Sequence, residues 1–142
     1  MKIEIKRIDT SLPLPEYKSD GAVAFDIYAR EGKNIKAQQT AFVPTNLIIK
    51  VPQGHALLLF GRSGLPKRGL MMANSVGVID QDFHGPEDEL QLFLYNFTSE
   101  DLMVKRGDRL AQGLITTVEK AEWDEVSEHN KKDSRGGFGS TG

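Results

Sequence analysis

Apolar residues in this chain come in short runs that alternate with polar ones, and glycine or proline punctuates nearly the whole sequence. The pattern predicts strands over Lys2–Ile8, Ala41–Pro44, Leu47–Val51, His55–Phe60, Val76–Ile79, Leu90–Tyr95 and Leu110–Thr117. Within Leu90–Tyr95, Leu90, Leu92 and Leu94 share one face, and Gln91, Phe93 and Tyr95 share the other. That period of two belongs to a strand. Thr117–Lys132 lacks Gly and Pro and is rich in Glu and Lys, yet Val118, Ala121, Trp123 and Val126 suit neither period cleanly. Its all-β surroundings favour a strand there over a helix. Many short strands, with a turn signal roughly every ten residues, predict an all-β sandwich or barrel.

At 142 residues the chain is most simply one domain, large enough to bury a core without staples. The absence of cysteine excludes disulfides, thiol nucleophiles and cysteine-based zinc sites. His55, His84 and His129 lie far apart in sequence, which argues against a histidine metal cage. A net charge of −2 provides no general attraction to nucleic acid or to a membrane. No apolar run approaches the ~18 residues of a membrane span. Met1–Lys6 alternates charge with isoleucine where a signal peptide would be continuously apolar, so the expectation is a cytoplasmic protein. An anionic ligand would have to find its positive charge in a local cluster.

Five stretches carry chemistry. Gly77-Val78-Ile79-Asp80-Gln81-Asp82-Phe83-His84-Gly85 reads as a strand that delivers an acid into a hairpin mouth, where Asp80 can orient and deprotonate a water. The plainer alternative is a surface turn in which Asp80 and Asp82 bond their own backbone. Asp26 stands between Phe25 and Ile27, and an acid among apolar neighbours needs a cationic partner. Its expected role is to support a site or to pin two strands. Gly61-Arg62-Ser63-Gly64, following a strand, has the parts of a phosphate cradle: converging N–H groups, a hydroxyl and a guanidinium fork. Ser63–Arg68 has room for one short helical turn. The stretch lacks the ending of a P-loop, and a simple basic turn is the alternative.

Asn74, near the base of the hairpin, suits either the reading of a base edge or the capping of a turn. In Arg109-Leu110-Ala111-Gln112, simple alternation puts Gln112 on the face of Leu110 and Leu114, an odd place for an amide unless it meets a polar group. Arg109, on the opposite face, is within reach of an acid such as Asp26. Residues 133–142 hold four glycines around Arg135 and Phe138, the composition of a flexible arm. Such an arm can order over a ligand, with Arg135 on phosphate and Phe138 stacked on a base.

In this order, the five stretches resemble the motifs of the homotrimeric deoxyuridine triphosphatase (dUTPase) family. The resemblance implies a jelly-roll trimer (β body 1–132, arm 133–142) whose three active sites lie at subunit boundaries. It implies Mg²⁺-dependent hydrolysis of dUTP to dUMP and pyrophosphate, which clears dUTP from the nucleotide pool and supplies dUMP for dTMP synthesis. Asp80 matches the general base that activates water at the α-phosphorus. Phe83 matches the ring beneath the deoxyribose that leaves no room for a 2′-hydroxyl. Arg62, Ser63, Gly64 and Gln112 match phosphate contacts. Asn74 and the backbone of Gly77, Val78 and Ile79 match the uracil site, and Asp26 and Arg109 support them.

Arg135 and Phe138 match the closing arm, usually donated by a neighbouring subunit. With the spacing here two residues shorter than is common, Lys131 or Lys132 is the alternative to Arg135 at the γ-phosphate. No residue is expected to bind metal directly: the triphosphate and water carry Mg²⁺, with Asp26 as a partner through water. The chemically distinct alternatives are a dCTP deaminase, alone or bifunctional, and a non-catalytic trimeric regulatory protein. The deaminases place a glutamate where this chain has Phe93, which leaves Glu89 as the substitute acid. Pro86–Glu89 reads as a short insertion beside the nucleotide pocket, a longer solvated loop or, as the alternative, a modifier of base preference.

Overall fold

The computed structural model describes residues 1–128 and 133–137. The described residues form eleven strands: β1 Ile5–Arg7, β2 Phe25–Tyr28, β3 Lys33–Ile35, β4 Thr40–Pro44, β5 Leu47–Ile49, β6 His55–Gly61, β7 Leu70–Met72, β8 Val76–Ile79, β9 Gln91–Asn96, β10 Leu102–Val104 and β11 Arg109–Thr117. One 3₁₀ turn, Pro66–Arg68, falls inside the helical turn expected after Ser63. A four-stranded sheet, β2-β11-β6-β8, and a three-stranded sheet, β4-β9-β7, are joined by the pairs β1-β5 and β3-β10. Every ladder is antiparallel. The result is the expected all-β, jelly-roll-like sandwich.

Alternation builds the core. Phe25, Ile27, Leu57 and Leu59 from the larger sheet join Val43, Leu70, Leu92 and Leu94 from the smaller in one buried cluster. The longest ladder, β6 with β11, runs from Ala111↔Gly61 to Thr117↔His55. Gly113 lies in its middle because a Cβ there would come within 2.6 Å of the Phe25 ring. The 3₁₀ turn stops at Gly69, whose φ of 78° suits glycine and whose added Cβ would lie 2.3 Å from Thr98.

Three expectations need correction. β11 ends at Thr117, and Val118–Glu128 forms neither strand nor helix, with Trp123 93% exposed. Its irregular apolar spacing offers no continuous face to pack. Val76–Ile79 is a strand, but the residues after Asp80 do not pair back onto it; they cross to β9 in the other sheet, so a crossing loop replaces the hairpin. The faces of β11 also differ from simple alternation. Arg109 pairs with Tyr28 and Ala111 with Ile27, so Leu110 is the extra residue of a β-bulge. Leu110 and Ala111 are both buried, and Gln112 emerges opposite them, paired with Asp26. Among the described residues no helix is long and apolar enough to cross a membrane.

Candidate active site

One cluster forms where β2, β6 and β11 meet. Asp26 is 6% exposed, and its oxygens face two guanidinium groups: Arg62 Nε at 3.0 Å and Arg109 Nη1 at 3.2 Å. Two cations around one anion leave a local positive excess in a chain of net charge −2. Both arginine side chains are partly exposed, so their remaining N–H donors can meet a bound anion. Gln112 lies across from Asp26 on β2 and from Phe60 on β6, and its amide makes no side-chain hydrogen bond among the described residues. Ser63 and Gly64 follow Arg62 on the surface.

Backbone bonds fix this cradle. Arg62 N–H donates to Leu110 O at 3.1 Å, and Leu65 N–H donates to Arg62 O at 2.9 Å. The turns Arg62–Arg68 and Lys105–Asp108 are also joined through Asp108, whose Oδ2 accepts from Arg68 Nη2 at 2.7 Å and from Lys105 N–H at 2.9 Å. Burial opposes ionisation of Asp108, but the Lys105 N–H and the Arg68 guanidinium outweigh it and hold the carboxyl below its ordinary range. The sequence carries both residues without a local sign that they pair.

A second cluster surrounds Asp80, just past the end of β8. β8 is the outer strand of the four-stranded sheet, so alternate backbone N–H and C=O groups of Val76–Ile79 face an open edge. Val78 is 62% exposed on it. Asp80 lines a cleft of about 430 Å³ with His55, Val78, Ile79, Gln81 and Lys120. Phe83 is 39% exposed, and its N–H makes a long 3.4 Å bond back to Asp80 O. Asn74 is exposed in the turn at the opposite end of β8, with Ser75 at a φ of 62°. The Asn74 side chain caps nothing among the described residues.

The two clusters are far apart. Ile79 pairs with Leu57 and Val76 with Phe60, so Asp80 sits level with Ala56, six residues along the chain from Arg62. At the rise of a strand this is a separation of about 20 Å. Within one copy, Asp26, Arg62, Arg109 and Gln112 converge, and Asp80 and Phe83 gather elsewhere.

The acidic insertion is not a free loop. Asp88 Oδ2 accepts from Gly85 N–H at 2.6 Å. Glu89 makes a bidentate pair with Arg30, at 2.8 and 2.9 Å, and also accepts from Asn46 N–H at 2.7 Å. Glu89 is therefore committed to structure and poorly placed to act as a substitute deaminating acid. Phe93, at the position of the deaminase glutamate, stacks on Phe42 with centroids 4.5 Å apart. Arg135 is exposed beside Gly136, which has a φ of 77°. Phe138, Lys131 and Lys132 lie outside the described residues.

Comparison with known proteins identifies the family and the fold. The sequence matches the dUTPase family over residues 10–142. It is 36% identical to the deoxyuridine 5′-triphosphate nucleotidohydrolase of Zymomonas mobilis over 146 aligned residues, covering 100% of this chain and 98% of that protein. The Helicobacter pylori protein of the same description is 35% identical, with 100% and 97% covered. Among solved structures, the Streptococcus mutans dUTPase superposes with a TM-score of 0.77 at 28% identity, covering 84% of this chain and 98% of that one. The dUTPase of Staphylococcus bacteriophage 80alpha with dUPNHPP shares the fold, with a TM-score of 0.86, 23% identity, and 99% and 98% covered. The chain belongs to the dUTPase family.

Proposed function

We propose that this chain hydrolyses dUTP to dUMP and pyrophosphate in the cytoplasm, as a homotrimer whose sites are each shared between subunits. The observation that carries the shared site is the separation of about 20 Å between Asp80 and Arg62 along the ladder, far more than a triphosphate spans. A second copy must bring its cradle to the Asp80 end for one nucleotide to touch both.

Each cluster has its own task. The open edge of β8, at Gly77, Val78 and Ile79, offers backbone donors and acceptors to the uracil, with Asn74 at its end. Phe83 covers the deoxyribose. Arg62, Ser63, Gly64 and Gln112 of a neighbouring copy hold phosphate oxygens, with Asp26 and Arg109 setting the angle of Arg62. Residues 133–142 act as the arm, bringing Arg135 to phosphate and Phe138 to the base. The body comprises residues 1–132.

Among the described residues no group of three or more His, Asp and Glu side chains converges as a metal cage. Both Asp26 oxygens already face guanidinium groups. Mg²⁺ would be carried mainly by triphosphate oxygens and water, with Asp26 as a partner through water, and would supply neutralisation of charge on the leaving pyrophosphate.

In the reaction, Asp80 accepts a proton from a water whose oxygen forms the new bond to the α-phosphorus. The bond from that phosphorus to the bridging oxygen breaks, its electron pair leaves with pyrophosphate, and Asp80 later returns the proton to solvent. Arg62 and the cradle N–H groups stabilise the leaving charge without having to reorganise. The test is pyrophosphate release from dUTP, dCTP, dTTP and UTP under identical conditions. Release confined to dUTP is expected; equal release from dCTP would refute the base assignment, and no release would refute the activity.

A further inference from the structure

Among the described residues, the turn that carries Asp80 is fastened to the sheet by a single side chain. Gln81, half-buried, donates from Nε2 to the backbone carbonyl of His55 at 3.0 Å. His55 is the first residue of β6, the strand paired with β8. The ladder ends at Ile79↔Leu57, so Asp80 has already left it. Asp80 and Asp82 are both exposed, and neither carboxylate accepts a hydrogen bond among the described residues. The backbone bonds within the turn are the 3.4 Å contact from Phe83 N–H to Asp80 O and a 3.1 Å bond from His84 N–H to Asp82 O. The next strong anchor of the crossing loop is Glu89 on Arg30, at the end of the insertion.

We infer that Gln81 is a positioning residue for Asp80: its bond to His55 O holds the turn so that the Asp80 carboxylate stays at the mouth of the cleft, aimed at the attacking water. The residue type suits the task. An amide donates to a carbonyl at any working pH, whereas a glutamate at this position would repel that carbonyl and add a third negative charge between Asp80 and Asp82. The bond is internal to one copy, so it sets the Asp80 geometry before a neighbouring cradle arrives with phosphate. A base held loosely at the end of an edge strand would sample many directions, and small errors in alignment are costly to a reaction that depends on orientation. The inference rests on the role proposed for Asp80.

The experiment is steady-state dUTP hydrolysis by the full chain carrying Gln81→Met, which keeps the length and removes the donor, and Gln81→Glu. Each change is also made in the Asp80→Asn background, and thermal midpoints are recorded for all variants. Expected are a fall in kcat of about tenfold or more with KM changed less than about twofold, and no further loss when Gln81→Met is added to Asp80→Asn. An unchanged kcat in Gln81→Met, or the same fold-loss in both backgrounds, would overturn the positioning role while leaving the Asp80 role standing. Full activity in Asp80→Asn alone would remove the Asp80 role and this inference with it. A loss that tracks a lowered thermal midpoint and disappears when rates are taken per folded subunit would also count against it.

Discussion

Two crippled variants of this chain should repair one another when mixed. Asp80→Asn removes the proposed base from one half of the proposed site, and a general base contributes roughly 10²–10⁴-fold to rate. Arg62→Ala removes a charge-assisted donor from the other half, worth ~1.5–3 kcal/mol or about 10- to 100-fold. Asp26 still keeps Arg109 at 3.2 Å in that variant, so the fold has reason to survive the change. Because Asp80 and Arg62 stand about 20 Å apart in one copy, a site built across copies can take Asp80 from an Arg62→Ala subunit and Arg62 from an Asp80→Asn subunit. If equal amounts of the two are redistributed at random, each half is native half of the time, and about a quarter of all sites are intact.

The assay unfolds and refolds the mixture, with each variant treated alone as control, and measures pyrophosphate release from dUTP per subunit. The mixture should recover to about a quarter of the native rate, well above either control. A mixture no more active than the mean of its two components, with subunit exchange verified, would refute the shared site.

Three further outcomes follow from particular contacts. Gly113→Ala places a methyl group within 2.6 Å of the Phe25 ring and should destabilise the fold by about 1–3 kcal/mol, read as a lower urea midpoint at unchanged slope; an unshifted midpoint would contradict the packing described. Glu89→Gln breaks a largely buried bidentate pair and should cost about 1–3 kcal/mol in stability, while leaving dUTP turnover well below the melting range near native, as expected of an anchor and not of a reacting acid. The carboxyl of Asp101 is held below its ordinary pKa first by the Lys36 side chain and then by the Ala37 N–H. A depressed acid stabilises the fold above its unfolded pKa and loses that contribution as pH falls through the folded one. Asp101→Asn should therefore lower the thermal midpoint near neutrality, and the difference from native should shrink below about pH 4; a difference independent of pH would exclude the electrostatic cause.

Where local pattern decides structure, the sequence was legible. Val76–Ile79 and Leu90–Tyr95 announced strands through apolar runs and alternation, and both formed. β3 and β10 did not announce themselves: each has three residues, and Lys33, Asn34 and Met103 are exposed, so pairing with each other defines them more than composition does. The bulge at Leu110 is a property of the register against Tyr28 and Ile27, with no mark on β11 itself. It explains why Arg109 meets Asp26 as expected while Gln112 turns away from Leu110. The ties from Arg68 to Asp108 and from Arg30 to Glu89 link residues 40 and 59 positions apart, and only the folded sheets bring them together. The separation of Asp80 from the Arg62 cluster was equally invisible, because both lie in adjacent motifs of the chain and part only when β8 runs antiparallel to β6.

The most direct test of the account is the initial rate of pyrophosphate release from Mg·dUTP by the native chain and by Asp80→Asn, with matched thermal midpoints and similar KM. A rate lower by about 10²-fold or more in Asp80→Asn is the predicted result. A rate within a few-fold of native would contradict it and move the search for the base away from the end of β8.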